Sequence, residues 1–249
     1  MRVTAAGLLT GWGTGVLALP ADARRAGAGR RVMTIPRPSL TGDRFRRATR
    51  ECLLGVAAVE AMLAESGVGR ETLRGSGTAL VYVTAAAYAA SNRMFIDQAA
   101  GTGTLHFPYT APSAVPAEVA IEFGLTGPYV IMLGDARTTV HALWQGATML
   151  RHGACERVLV LAVETFAESA DLFRGARWLV RSPLVETAVA VLGTPGHDHR
   201  DAGDMGIDER ELAMVGRRVG ETLACAPLIA LALAHDGTSE TRRVRMAGT

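Results

Sequence analysis

The stretch from Gly127 to Val163 leaves the chain few choices. Gly127-Pro128 is a turn, and Tyr129–Leu133 (YVIML) is an unbroken apolar run. Gly134-Asp135-Ala136-Arg137 is a tight turn of small and polar residues. From Thr138 to His152, Val140, Leu143, Ala147 and Leu150 share one stripe at helical spacing. Arg157–Val163 (RVLVLAV) is a second continuous apolar run. Short apolar runs bounded by turn residues read as buried strands, and the striped segment between them as a helix. Strands apolar on both faces need cover on both faces, which points to an α/β sheet with helices on each side.

The rest of the chain repeats this grammar. Residues 2–9 read as a strand ending in a glycine-rich turn (Gly11–Gly15), and 20–43 as a Pro-, Gly- and Arg-rich loop. From Asp43 to Ser66 the residues Phe45, Ala48, Cys52, Val56, Val59 and Leu63 recur at helical spacing, and Gly67 stops the helix. Thr78–Thr84 (TALVYVT) is a buried strand. Residues 85–100 are Ala-rich and helical, 101–112 are loop, and Ser113–Phe123 is a short helix ended by Gly124. Residues 164–178 read as irregular or helical, and Glu186–Leu192 (ETAVAVL) as a further strand. Residues 193–206 are a Gly- and Asp-rich linker. Asp208 to His235 is mostly helical with an interruption at Pro227, and 236–249 is a polar tail. No repeat of solenoid period occurs. The expected organisation is a domain over 1–192, a linker over 193–206, and a helical segment over 207–249 packed on the same domain.

Composition excludes several functions. Apolar residues make up 49% of the 249, enough for a sizeable core and too much for a disordered chain. Net charge is +2 and aromatics are 5%, so neither a broad basic field nor a stacking platform for nucleic acid is expected. All 26 basic residues are arginine, which excludes lysine Schiff-base chemistry and a P-loop lysine. Cys52, Cys155 and Cys225 are odd in number and far apart, against a disulfide scaffold or zinc ribbon and in keeping with the cytoplasm. No run of 18 or more apolar residues exists, so no membrane span is expected. Arg2, Leu8–Leu19 and Ala21-Asp22-Ala23 have the outline of a signal peptide, but four glycines, Trp12 and Thr14 break the apolar run. The spacing G-x-G-x-G at residues 11–15 is not a dinucleotide fingerprint, and no cofactor is expected.

FGLTGP (Phe123–Pro128) followed by YVIMLGDARTTVHAL (Tyr129–Leu143) resembles the nucleophile segment of β-ketoacyl synthases. The family pattern is GP, a short strand, then T-A-C-x-T-G-x-H-A-I. Thr138, His141 and Ala142 match it without gaps, and the family's cysteine falls on Ala136. RVTAAGLLTGWG (Arg2–Gly13) is similar to the family's opening strand and turn. PYTAPSAVPAEVAIEFGL (Pro108–Leu125), ACERVLVLAVE (Ala154–Glu164) and ETAVAVL follow in family order. The likeness runs over about residues 2–192 and implies a thiolase-like layered αβα fold, mainly its N-terminal half, with a short helical C-terminal remnant.

The departures carry the functional expectation. A cysteine thiolate at a helix N-terminus is the family's acyl acceptor, and Ala136 supplies no nucleophile. The family's two histidines come from a C-terminal half that is mostly missing. GETLACAP (Gly220–Pro227) resembles "GHTLGAAG", which puts Glu221 where a histidine belongs; a carboxylate lacks the donor that a developing enolate needs. The chain therefore resembles the non-catalytic chain-length factors, and more narrowly the truncated ketosynthase-like proteins of aryl-polyene-type clusters. Chain-length factors of aromatic systems carry glutamine at the cysteine position, so alanine argues against decarboxylation. The resemblance implies a heterodimer with a catalytic ketosynthase, acyl carrier protein engaged through that complex, and an acyl tunnel beside Thr110, Ala111 and Ala114.

Each candidate also has a plainer reading. Asp135 and Arg137 flank Ala136 at a helix start, where an acid caps the helix and pairs with the arginine; the functional alternatives are that one of them orients a partner's active site across a dimer interface, or that they form a degenerate site with Glu221. His141 reads as structural, Cys155 as an inert thiol, and Trp144 and Met149 as core. His197-Asp198-His199 lacks further ligands at metal spacing, so no metal site is expected. Two other functions stay open: altered thioester chemistry (decarboxylation or hydrolysis), and a stand-alone acyl-binding protein.

Overall fold

The computed structural model describes residues 1–98, 103–166, 182–196 and 209–236. Its centre is a six-stranded mixed sheet of β1 (Arg2–Thr10), β2 (Gly13–Thr14), β4 (Thr78–Thr84), β5 (Tyr129–Leu133), β6 (Arg157–Glu164) and β8 (Thr187–Thr194). The strand order is β2-β1-β8-β6-β4-β5. β4 is parallel to β5 and β6, while β8 runs antiparallel to β6 and β1. A small parallel pair, β3 (Val32–Met33) with β7 (Leu184–Val185), stands beside it.

Two-residue alternation divides every central strand between two cores. On β4, Ala79, Val81 and Val83 face one side, and Leu80 and Tyr82 the other. On β6 the division is Val158, Val160 and Ala162 against Leu159, Leu161 and Val163. The first core is covered by α5 (Ala136–Arg151), α6 (Glu209–Val219) and α7 (Ala226–Asp236); the second by α2 (Arg50–Ser66) and α4 (Ala114–Phe123). This is the layered αβα architecture that the sequence resemblance implies. Two further helices among the described residues are α1 (Ala23–Gly27) and α3 (Tyr88–Gln98). No helix among the described residues is long and apolar enough to cross a membrane.

Several boundaries differ from the sequence expectation. The loop 20–43 contains α1 and β3, which are too short to leave a periodic signature. The helix expected from Asp43 begins at Arg50; residues 43–46 form a separate 3-10 turn after Gly42 (φ 128°). Gly103–Thr110 is 3-10 rather than loop. Pro227 does not interrupt a helix. The break falls at Gly220 (φ 102°), and Pro227 lies in the first turn of α7, where a missing N–H is harmless. Gly193 and Thr194 belong to β8 rather than to a linker. The expectations for 167–178 and for the tail beyond Asp236 fall outside the described residues.

One ion pair locks these layers together. Glu186 is fully buried between β7 and β8, and Arg50 at the start of α2 grips it with Nη2–Oε1 at 2.6 Å and Nη1–Oε2 at 2.7 Å. The carboxylate also accepts the backbone N–H of Ile35 (2.7 Å) and of Phe166 (2.9 Å). Arg50 Nη1 donates to the Ile35 carbonyl at 2.9 Å. A buried charge is tolerated when it is paired and its lone pairs are filled.

Two substitutions test this packing. Arg50→Ala strands the Glu186 carboxylate and is expected to cost about 3–5 kcal/mol in urea unfolding; a loss under ~1 kcal/mol contradicts the hub. Gly7 faces α2 so closely that an added Cβ lies 2.7 Å from the Ala58 carbonyl oxygen and nearer still to the Met62 backbone. Gly7→Ala must push helix from sheet, and a loss of about 1–3 kcal/mol or more is expected. An unchanged unfolding midpoint contradicts that close approach.

Candidate functional site

The start of α5 is built by three consecutive residues. Gly134 has φ 155°, and its N–H donates to the Thr84 carbonyl at 3.0 Å. A Cβ on Gly134 would collide with the Thr138 side chain, so the turn from β5 into α5 requires glycine. Asp135 is the N-cap, its Oδ1 accepting the Arg137 N–H at 3.0 Å. The helix therefore opens at Ala136, two residues before the expected Thr138. Ala136 is half-buried, with Asp135 and Arg137 exposed on either side. The cap is made, but Arg137 joins no ion pair among the described residues. His141 is exposed.

The buried Thr139 hydroxyl donates to the Ala224 carbonyl at 2.6 Å, tying the first turn of α5 to the turn Leu223–Cys225. Glu221 sits just before that turn. Its carboxylate folds back and accepts the Leu223 N–H at 2.9 Å, where Leu223 holds φ 46°. The first turn of α5 thus meets the Leu223–Cys225 turn, while the carboxylate of Glu221 is engaged by its own backbone.

Sequence reasoning missed the acid beneath this junction. Glu164, the last residue of β6, is fully buried. Its Oε1 accepts the Ala85 N–H at 2.5 Å and its Oε2 the Ala86 N–H at 2.9 Å, while the Thr84 hydroxyl lies 3.4 Å from Oε2. The Ala224 backbone also bonds to it. One carboxylate therefore fastens the ends of β4 and β6 to the C-terminal segment. Burial pushes its pKa up to about 7 against the opposing pull of these donors. A lone acid closing the run RVLVLAVE was the available signal.

Ala111 and Ala114 lie on the opposite face of the sheet. With Thr49, Glu51, Tyr82, Tyr88 and Tyr109 they line a cavity of about 10 Å³, room for about one water. Thr110 is not among its lining residues; its hydroxyl donates to the Phe107 carbonyl at 2.8 Å.

The cysteines are all buried and unbridged. Burial pushes the Cys52 thiol up to about 12 and raises those of Cys155 and Cys225, which disfavours thiolate chemistry at each. Met149 is core, but Trp144, expected to be core, is 40% exposed on α5. Among the described residues no three His, Cys, Asp or Glu side chains group as metal ligands. His197-Asp198-His199 lies outside them.

A strand, a glycine turn and a helix N-terminus at the end of a layered sheet stand where the sequence resemblance puts the ketosynthase nucleophile segment. The profile of "Beta-ketoacyl synthase, N-terminal domain" matches residues 37–183, more than half of the chain, and the chain belongs to that family. Among solved structures it is similar to the ishigamide ketosynthase/chain length factor, at 18% identity and TM-score 0.63, over 86% of this chain and 70% of that one. The complex of the ketosynthase ApeO with its chain length factor ApeC from Xenorhabdus doucetiae matches at 13% identity and TM-score 0.56, over 79% of this chain and 80% of that one. AntDE:AntF, a type II acyl-carrier protein in complex with its ketosynthase, matches at 15% identity and TM-score 0.62, over 78% of this chain and 62% of that one. At these identities the likeness is one of fold. No protein of curated function matches the sequence.

Glu164 gives a pH signature. Its folded pKa of about 7 lies above the usual 4.5, so its contribution to stability is complete below about pH 4.5. That contribution is lost as pH rises through about 7, by up to ~1.4 kcal/mol per pH unit. Glu164→Gln removes this slope, and its amide N–H meets a backbone N–H, lowering stability overall. Urea unfolding across this range checks both; equal slopes in the two proteins contradict the assignment.

Proposed function

We propose that this chain is a non-catalytic, chain-length-factor-like subunit that pairs with an active β-ketoacyl synthase and shapes its acyl tunnel. The observation that carries this reading is the open edge of the sheet. Among the described residues β5 is the last strand, and it is half-exposed along its length; Tyr129 is 63% and Leu133 52% exposed, and Trp144 on the adjoining α5 is also exposed. An apolar strand with unpaired backbone groups on its outer side is unstable against association unless a partner covers it. The ketosynthase and chain-length-factor complexes among the similar structures support a partner of that kind. Residues 1–192 are read as the ketosynthase N-terminal-like domain and 207–249 as a remnant of the second half.

Ala136 takes the nucleophile position in this reading, and its methyl group accepts no acyl chain. Asp135 and Arg137 act as helix cap and exposed charge, and Glu221 as a backbone cap. The tunnel is bounded by Thr110, Ala111 and Ala114 on this subunit. The cavity there is far smaller than an acyl chain, so the chain runs between the subunits rather than into this one. Acyl carrier protein reaches the pair through the complex, and the chemistry needs no cofactor from this subunit.

Co-expression with the ketosynthase of the same cluster, followed by sizing, is expected to give a one-to-one complex; the isolated chain is expected to self-associate. A stable monomer that ignores the ketosynthase contradicts the proposal. Ala136→Cys is expected to gain no condensation activity, because a nucleophile without its histidines lacks most of the rate enhancement. Ala111→Phe and Ala114→Phe are expected to shorten the product while the complex persists, with any packing strain near ~1–3 kcal/mol. An unchanged product profile in both, with the complex intact, places the measuring wall elsewhere.

A further inference from the structure

The cavity beside Ala111 and Ala114 has a lining at odds with a channel for plain alkyl chains. Four elements meet around it. The start of α2 gives Thr49 and Glu51, β4 gives Tyr82, α3 gives Tyr88 and Ser91, and the 3-10 turn before α4 gives Tyr109. All six carry hydrogen-bonding side chains. Glu51, Tyr82 and Ser91 are its buried end, at 4%, 1% and 6% exposure. Tyr88, Tyr109 and Ala114 are half-buried, and Ala111 is exposed at the mouth.

Small side chains keep the space open. Ala87, Ala111 and Ala114 stand where larger apolar residues would close a gap of about 10 Å³. The polar groups around it are held in place: the Thr165 hydroxyl lies 3.4 Å from Glu51 Oε1, and the Thr49 hydroxyl donates to the Cys52 sulfur at 3.3 Å. Burial raises the pKa of Tyr109 and lifts that of Tyr82 well above its ordinary value, so both hydroxyls stay protonated and able to donate.

An acid in the first turn of α2 is favoured by the helix dipole, which accounts for Glu51 alone. It does not account for tyrosines and a serine that reach the same space from β4, α3 and the 3-10 turn. A gap of this size with several polar partners suits one oxygen atom, and it is too small for a further length of chain.

We propose that this cavity is a selectivity pocket for a single oxygen, a hydroxyl or carbonyl carried at the far end of the acyl chain, which enters in place of water. That a chain passes the mouth at Ala111 rests on the function proposed above. An oxygen exchanges hydrogen bonds with the lining. A methyl end stops short of the pocket or leaves buried polar groups unpaired, which a site of this kind penalises. The subunit thus favours oxygen-bearing chains over saturated chains of equal length.

The test is kcat/KM of the co-expressed ketosynthase complex for paired N-acetylcysteamine thioesters of graded length, one member saturated and the other bearing a terminal hydroxyl. The wild-type complex is expected to favour the hydroxylated member about tenfold or more at the lengths that reach the pocket. Tyr109→Phe and Ser91→Ala each remove one hydroxyl and leave the carbon packing. Each is expected to lower the preference about fivefold, the worth of one hydrogen bond, by raising KM for the hydroxylated thioester alone. Ala114→Val, which fills the gap, is expected to abolish the preference with the complex intact on sizing. The proposal is overturned if the wild type shows no preference at any length, or if the variants slow both members of a pair equally. A wild-type chain that forms no ketosynthase complex sinks the proposed function alone. The same pairs titrated into the isolated chain by ligand-observed NMR then decide this one: tighter binding of the hydroxylated member, lost in Tyr109→Phe, supports the pocket, and equal binding of both overturns it.

Discussion

The fold turns on the buried pairing of Arg50 with Glu186. Three separate segments reach that carboxylate at the junction of β7 with β8: the loop at Ile35, the start of α2, and Phe166, two residues beyond β6. The backbone of Glu186 continues the join, accepting from the Gly11 N–H and donating to the Met33 carbonyl, each at 2.9 Å. Apolar burial alone would drive these layers together without fixing their register, since Val, Leu and Ala slide past one another at little cost. A fully satisfied ion pair permits one arrangement. It thereby sets where α2 begins and where β8 starts.

Glu164 plays the matching part at the end of the sheet where α5 begins. It is the acid that joins the β4–α3 turn to the Leu223–Cys225 turn, and through Thr139 the first turn of α5 joins the same cluster. The segment beyond residue 208 is therefore bound to the domain by polar contacts as well as by the apolar packing of Val215, Val219, Leu228 and Ile229. The core closes on that side because α7 packs on β1 and β8, and α6 packs on α7. Among the described residues the β5 edge is uncovered, and its side chains Tyr129 and Leu133 are exposed.

Much of this was legible from residue patterns. TALVYVT, YVIML, RVLVLAV and ETAVAVL all became strands because continuous apolar runs between turn residues have few alternatives. The antiparallel placing of β8 between β1 and β6 was not legible, since pairing across such sequence distance leaves no local mark. α1 and β3 were hidden by their brevity, and Trp144 by its helical spacing, which marks a face without saying what covers it. At the candidate site, the cap at Asp135 followed from side-chain chemistry. The buried roles of Glu164 and Glu186 did not, because a single acid at a strand end looks like a solvated terminus until the donors around it are known. The comparisons supplied the family, and the resemblance at Thr138, His141 and Ala142 supplied the position of Ala136.

The central claim is that β5 is an interface strand. Amide hydrogen exchange of the chain, alone and bound to its ketosynthase, tests it most directly. The account predicts that the amides of Tyr129–Leu133 exchange faster in the isolated chain than those of the interior strand β6, and gain marked protection in the complex, while β1 and β8 change little. Protection that appears elsewhere, with the exchange of Tyr129–Leu133 unaltered by the ketosynthase, would contradict it.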